Sequence, residues 1–156
     1  MNNEIRIREA VQEDLPVLLQ YEQEVVKAER PFDPTIRNSD VTYYDLDALM
    51  SNPQAIVLVA CEGAKIVATG YALEKSARPY LDHETFAYLG FMYTDPDYRG
   101  RGINGKIVSG LQEWASSVGL TEIRLHVYTE NEPAIRAYEK VGFKNHMVEM
   151  RLRTKS

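Results

Sequence analysis

The 156-residue chain holds a single cysteine, so no disulfide can close within it. Cys61 lies in an apolar run and reads as a small buried hydrophobe rather than a catalytic thiol. Long hydrophobic runs are missing too. The longest, Ala55 to Cys61, falls far short of the roughly 20 residues that a membrane-spanning helix needs. Basic charge is scarce: 18 Lys and Arg stand against 23 Asp and Glu, for a net charge of -5. Nucleic-acid binding needs a basic footprint, so that partner class is disfavoured, whereas a cationic acceptor such as an amine suits the surface better. The start Met1-Asn2-Asn3-Glu4 lacks an apolar leader core, which predicts no secretory signal and a cytoplasmic location.

What is present is ordinary soluble composition, 44% hydrophobic and 26% charged, which places the chain among globular proteins rather than disordered ones. Neither a linker nor an internal repeat divides it, so one domain over residues 1–156 is expected. Ile5 and Ile7 alternate with arginines as a strand. Asp14 then precedes Leu15-Pro16 as a cap, and Leu15, Leu18, Leu19, Val25 and Val26 carry a helical stripe to about Glu29. Thr42 to Asp45 forms a capping-box pattern before a short helix presenting Leu46, Leu49 and Met50. Ile56–Cys61 and Lys65–Leu73 read as a hairpin through Glu62-Gly63, and Thr85–Thr94 as a buried strand. A helix follows from Ile103 to Gly119, then a strand at Ile123, Leu125 and Val127. A second helix presents Ala134, Ala137, Tyr138 and Val141, and a final strand is expected at Val148, Met150 and Leu152. The order β-α-α-β-β-β-α-β-α-β predicts an α/β (α+β) fold with a mixed sheet.

The most informative segment runs from Tyr93 through Asp95-Pro96 to Gly105. A strand ends, glycines follow and an amphipathic helix begins. Such a helix start offers unpaired N–H groups and about half a positive charge, an anion site suited to a pyrophosphate. Gly100, Gly102 and Gly105 spell the dinucleotide pattern G-x-G-x-x-G. That version needs a strand running straight into the first glycine and a later ribose-binding acid. Here Thr94 to Arg99 intervenes, and the next strand offers Arg124, His126 and Tyr128, so a nicotinamide-dependent oxidoreductase is a weak rival.

Tyr98-Arg-Gly-Arg-Gly-Ile-Asn104 resembles the cofactor motif of the GNAT acetyltransferases, with Arg99 and Gly102 matching and Asn104 departing from the usual Gly or Ala. Asn131, Ala134, Tyr138, Gly142 and Phe143 fall on the second GNAT pattern, in the right order and about thirty residues on. The resemblance implies a GNAT-like fold and an acetyl-CoA-dependent N-acetyltransferase that needs no metal. It implies cofactor contacts from Met92, Tyr93, Thr94, Arg99, Gly100, Arg101, Gly102, Ile103, Asn104, Gly105, Asn131, Ala134 and Tyr138. It gives Tyr138 the role of general acid to the departing thiolate. The acceptor is expected near residues 30–45 and 75–84, where Phe32, Tyr43, Tyr44 and Tyr80 with Asp33, Asp40 and Asp82 would suit a small-molecule or peptide amine. The general base stays open among Glu84, His83, Asp82, Glu22, Glu29 and water, because Tyr88, Leu89, Gly90 and Phe91 supply no carboxylate. A non-catalytic acyl-CoA-binding sensor or subunit of the same fold is the alternative. Dimers are common in the family, so a homodimer is left open.

Overall fold

The computed structural model describes residues 4–154; the polar start Met1-Asn2-Asn3 lies outside them. Its contacts divide the chain into two compact units, up to His126 and from Val127 onward.

In the first unit, β1 (Ile5–Glu9), β2 (Ala55–Glu62), β3 (Lys65–Ser76), β4 (Thr85–Thr94) and β5 (Ile123–Arg124) form one sheet in that order. Every pairing is antiparallel except β4 with β5, which makes the sheet mixed as the element order predicted. Glu62 faces Lys65 across the β2–β3 turn, where Gly63 takes φ +59. The central strands are apolar over most of their length because both faces are covered. Val57, Val59 and Cys61 turn toward Leu18, Val25 and Leu46 of α1 (Leu15–Glu29) and α2 (Leu46–Ser51). On the opposite face, α3 (Ile103–Ser117) buries Ile103, Ile107, Val108, Leu111 and Ala115, and approaches β2 so closely that a Cβ on Gly110 would lie 2.8 Å from Leu58.

Two caps differ from the sequence expectation. Asp14 makes no side-chain cap on α1; its carboxylate accepts from Arg8 at 2.8 and 3.0 Å and from the Val11 N–H at 2.8 Å. The pair with Arg8 holds the Asp14 carboxyl below the usual range. For α2 the cap is Asp45, which accepts from the Ala48 N–H, rather than Thr42. A carboxylate one residue before the helix outcompetes a hydroxyl four residues before it for the same amides.

In the second unit, α4 (Glu132–Lys140) is capped by Asn131, whose side chain accepts from the Ala134 N–H. Ala137 and Val141 of its expected apolar face are exposed, and none of the helix is fully buried. The strand expected at Val148, Met150 and Leu152 is not formed: residues 144–154 carry no regular structure, and all three side chains are exposed. The strand expected through Leu125 and Val127 shrinks likewise to Ile123–Arg124. Alternation alone does not make a strand; its backbone needs a ladder to join.

Candidate active site

The β3–β4 pairing slips in the middle. Tyr71 faces Gly90 and Thr69 faces Tyr93, so two steps along β3 are matched by three along β4. The extra residue is a bulge at Phe91-Met92, with Phe91 at φ +54, a value that non-glycine residues adopt only under constraint. Two contacts supply the constraint. The buried Thr69 hydroxyl donates to the Phe91 carbonyl at 2.8 Å, and the Tyr71 ring fills the space above Gly90, where an added Cβ would meet it at 2.5 Å. A bulge of this kind takes backbone groups out of the ladder and leaves the extra residue unpaired.

From Thr94 the chain passes through a 3-10 turn at Pro96–Tyr98, closed by the Asp95 carboxylate on the Asp97 N–H, into the glycine loop. Gly100 and Gly102 take φ +78 and +75, which a side chain would resist, and Gly102 opens α3 without a side-chain cap. The space above Gly100, Gly102 and Gly105 is open. The start of this 15-residue helix is therefore unobstructed at its glycines, with Arg99 and Arg101 next to them in the chain. Arg99 donates through Nε to the Thr94 carbonyl at 3.3 Å. Arg101 donates to the Asp97 carbonyl at 3.2 Å and lies 4.8 Å from the centre of the Tyr98 ring. Tyr98 is itself anchored, its hydroxyl donating to Glu62 at 2.8 Å and its ring 5.0 Å from the Lys65 ammonium.

A second cluster flanks the bulge. Tyr44 has its ring 5.3 Å from Phe91 and 5.5 Å from Tyr71. Burial pushes the Tyr44 phenol well above its ordinary value, opposed by the Phe91 N–H at its hydroxyl. The Tyr71 phenol is pushed up by burial to about 12. Glu22 of α1 is fully buried, and its Oε2 accepts from both the Tyr43 and Tyr44 N–H groups at 2.7 Å. Glu29, the last residue of α1, is half-buried, and burial raises its carboxyl. Of the expected acceptor residues, Tyr43 and Tyr44 belong to this cluster. Tyr80 is 73% exposed and pairs with Arg78, while Asp33 is taken up by Thr35.

The remaining base candidates lie on the β3–β4 connection. Arg124 of β5 donates to Nε2 of His83 at 2.7 Å, and Nδ1 of His83 lies 2.8 Å from Asp82. A guanidinium only donates, so Nε2 is the acceptor and the proton sits on Nδ1. Sequence reasoning missed the bulge, the burial of Glu22 and this His83–Arg124 pair. The first two carried signals: a glycine inside a strand, and a glutamate at a core position of the α1 stripe. In the second unit, Tyr138 is half-buried with its ring 5.8 Å from Phe143 in an edge-on pair, and the Phe143 N–H donates to the Tyr138 carbonyl.

Within the first unit, these features define an α/β protein in which a bulged strand leads through a glycine loop with two arginines to a helix start without a side-chain cap. The family is given by comparison. Residues 20–143 match the model of the Acetyltransferase (GNAT) family, and the chain belongs to it. A stretch of 48 residues is 44% identical to a mycothiol acetyltransferase of Corynebacterium aurimucosum, covering 30% of this chain and 16% of that one. A stretch of 55 residues is 38% identical to a thialysine N-epsilon-acetyltransferase of Sus scrofa, covering 35% and 32%. The matches thus span less than a third of either relative's length. The crystal structure of a predicted acetyltransferase with acetyl-CoA from Clostridium acetobutylicum superposes with a TM-score of 0.76 over 96% of both chains; at 23% identity this establishes the shared fold.

Proposed function

We propose that this chain is an N-acetyltransferase moving the acetyl group of acetyl-CoA directly to a primary amine. The observation that carries the reading is the bulge at Phe91-Met92 together with the open, uncapped start of α3. Acetyl-CoA fits both. The backbone around Gly100, Gly102, Ile103, Asn104 and Gly105 would hold its pyrophosphate, with Arg99 and Arg101 adding charge. Backbone groups of Met92, Tyr93 and Thr94 would pair with the pantetheine arm, and Asn131 and Ala134 add contacts. Once bound, the cosubstrate supplies an acetyl group activated as a thioester.

The chain's own groups do the rest. The Met92 N–H, or a neighbouring amide, donates to the carbonyl oxygen as charge gathers there. Tyr138 keeps its phenolic proton near neutrality, since a phenol titrates near about 10, and gives it to the departing sulfur. A nitrogen–carbon bond forms as the carbon–sulfur bond breaks with its pair on sulfur, and the proton lost by nitrogen restores the phenol. Holding both reactants together supplies much of the acceleration. One domain over residues 1–156, working in the cytoplasm without a metal, completes the proposal. The Sus scrofa relative is named for an N-epsilon acceptor, which supports nitrogen as the acylated atom.

One feature favours a second reading, a binder without turnover: β4 supplies no carboxylate at Tyr88, Leu89, Gly90 or Phe91. Calorimetric titration with acetyl-CoA, with NAD as control, followed by thiol-release assays across primary amines, tests both readings. Micromolar binding of acetyl-CoA alone with amine-dependent thiol release is the expected result. Binding without release by any amine favours the binder, and no binding removes both.

A further inference from the structure

Packing fixes the two side chains of the bulge but not the peptide between them. The Phe91 ring is buried on the α1–α2 face of the sheet, 5.3 Å from the centre of the Tyr44 ring. The Met92 side chain lies over the other face, where a Cβ on Gly70 would stand 2.9 Å from its sulfur and 2.6 Å from Ile107 of α3. Both Cα atoms are thereby placed, yet the planar peptide joining them can still tilt about the line between them through its soft dihedrals. Thr69 of β3 restrains that tilt. It is 1% exposed, and its hydroxyl donates to the Phe91 carbonyl at 2.8 Å. A trans peptide directs its C=O and its N–H to opposite sides, and no peptide among the described residues is cis. An oxygen held toward β3 therefore sends the Met92 N–H to the other side of β4, the side of β5. There the β4–β5 pairing ends at Tyr88 with Arg124, before Met92 is reached.

Resting on the acetyltransferase reading, we propose that Thr69 is a positioning residue whose buried hydroxyl aims the Met92 N–H at the thioester carbonyl of acetyl-CoA. It acts through a single peptide and does not itself touch the cosubstrate. A hydrogen bond weakens steeply once its angle closes toward about 120°, so a tilting peptide would squander its donor. A donor already aimed needs no reorganisation as charge gathers on the oxygen. The bulge makes such a brace necessary. A left-handed residue at the first position of a bulge is ordinarily glycine, and here it is Phe91 at φ +54. Phenylalanine keeps a buried ring that glycine would forgo, at the cost of backbone strain that persists only where the surroundings over-determine it. The Thr69 hydroxyl is part of that determination. A carbonyl oxygen only accepts, so the hydroxyl proton is committed to Phe91; valine, of nearly the same shape, has no proton to give.

The test needs no acceptor. Wild type, Thr69→Val and Thr69→Ser are loaded with acetyl-CoA isotope-labelled at its carbonyl carbon, and the carbonyl stretch is read by infrared difference spectroscopy. Calorimetry gives affinities for acetyl-CoA and for S-ethyl-CoA, a thioether without the carbonyl, and thermal melts report folding. In wild type the stretch should fall below its value in free acetyl-CoA, as a hydrogen bond to the oxygen requires. Thr69→Ser should keep that shift. Thr69→Val should lose most of it and bind acetyl-CoA about 5-fold more weakly, with S-ethyl-CoA unaffected. Valine leaves a buried carbonyl unmet and serine lacks a buried methyl, so both melts should drop. A purely structural Thr69 would make the shift follow the melt, whereas positioning makes it follow the hydroxyl. If Thr69→Val does not fold, Thr69→Cys takes its place, and its weaker thiol donor should give an intermediate shift. A wild-type complex without the shift overturns the assignment alone. So does a Thr69→Val or Thr69→Cys shift equal to that of wild type, or a Thr69→Ser complex that binds without it. Failure of the wild type to bind acetyl-CoA overturns the acetyltransferase reading, and the assignment falls with it.

Discussion

Residues 4–126 and residues 127–154 each carry one of the two family motifs, yet they treat those motifs differently. In the first, the glycine loop is braced from beneath by a helix whose inner residues are fully buried and from behind by a five-stranded sheet. In the second, the motif residues lie on a short capped helix, and the alternating Val148, Met150 and Leu152 stand in the open. A motif records which groups chemistry needs. How firmly they are held is set by burial, and the two units differ in burial far more than in motif quality.

Leu111 of α3, fully buried, tests the difference most strongly. Leu111→Ala should cost about 2–5 kcal/mol through lost burial and a residual cavity, read as a fall in the denaturation midpoint. A loss under about 1 kcal/mol would put the second unit on the same footing as the first. On the functional side, Tyr138→Phe should lower turnover about 100-fold while acetyl-CoA affinity holds, because a ring without its hydroxyl packs alike but donates nothing. An equal loss of affinity would make Tyr138 a binding residue only.

Acid sharpens the comparison from within the first unit. The Arg8 pair lowers the Asp14 carboxyl, so Asp14 contributes stability above the ordinary carboxylate range and loses it as pH falls through the lowered value. The melting-temperature gap between wild type and Asp14→Asn should therefore be widest near neutrality and close toward about pH 2. A gap that stays constant with pH would mean that the Asn variant loses packing rather than charge. The smallest expected effect lies in the second unit: Met150→Ser, at an exposed position, should stay within about 0.5 kcal/mol. Hydrogen exchange gives the same contrast without mutation, with slow amides in β3 and unprotected ones across residues 148–152. Equal protection in the two segments would break the comparison.

What could be read in advance follows the same division. The span of β4, the Glu62-Gly63 turn and the run of α3 up to Gly119 were legible because each joins strong periodicity to a specific breaker. The positive φ of Gly100 and Gly102 was implied by residue type alone. Glu22 was not placed: charge argues for the surface, and only its spacing with Leu18, Val25 and Val26 puts it in the core. Leu19, counted in the stripe, lies 45% exposed for the converse reason, one position off that face. The final strand was misjudged because alternation reports which face a strand would bury, while pairing depends on a neighbour that the segment's own sequence does not contain.

Glu22 holds the loop before α2 by its main chain alone. Both bonds go to the N–H groups of Tyr43 and Tyr44, which every residue except proline possesses. These two anchors would therefore survive a change of side chain, whereas the packing of both tyrosines on the core would not. New residues at 43 and 44 would thus repack the surroundings of the bulge while the backbone kept both bonds to Glu22. One buried carboxylate thus acts as a clasp on the chain itself, indifferent to the identity of the residues it fastens.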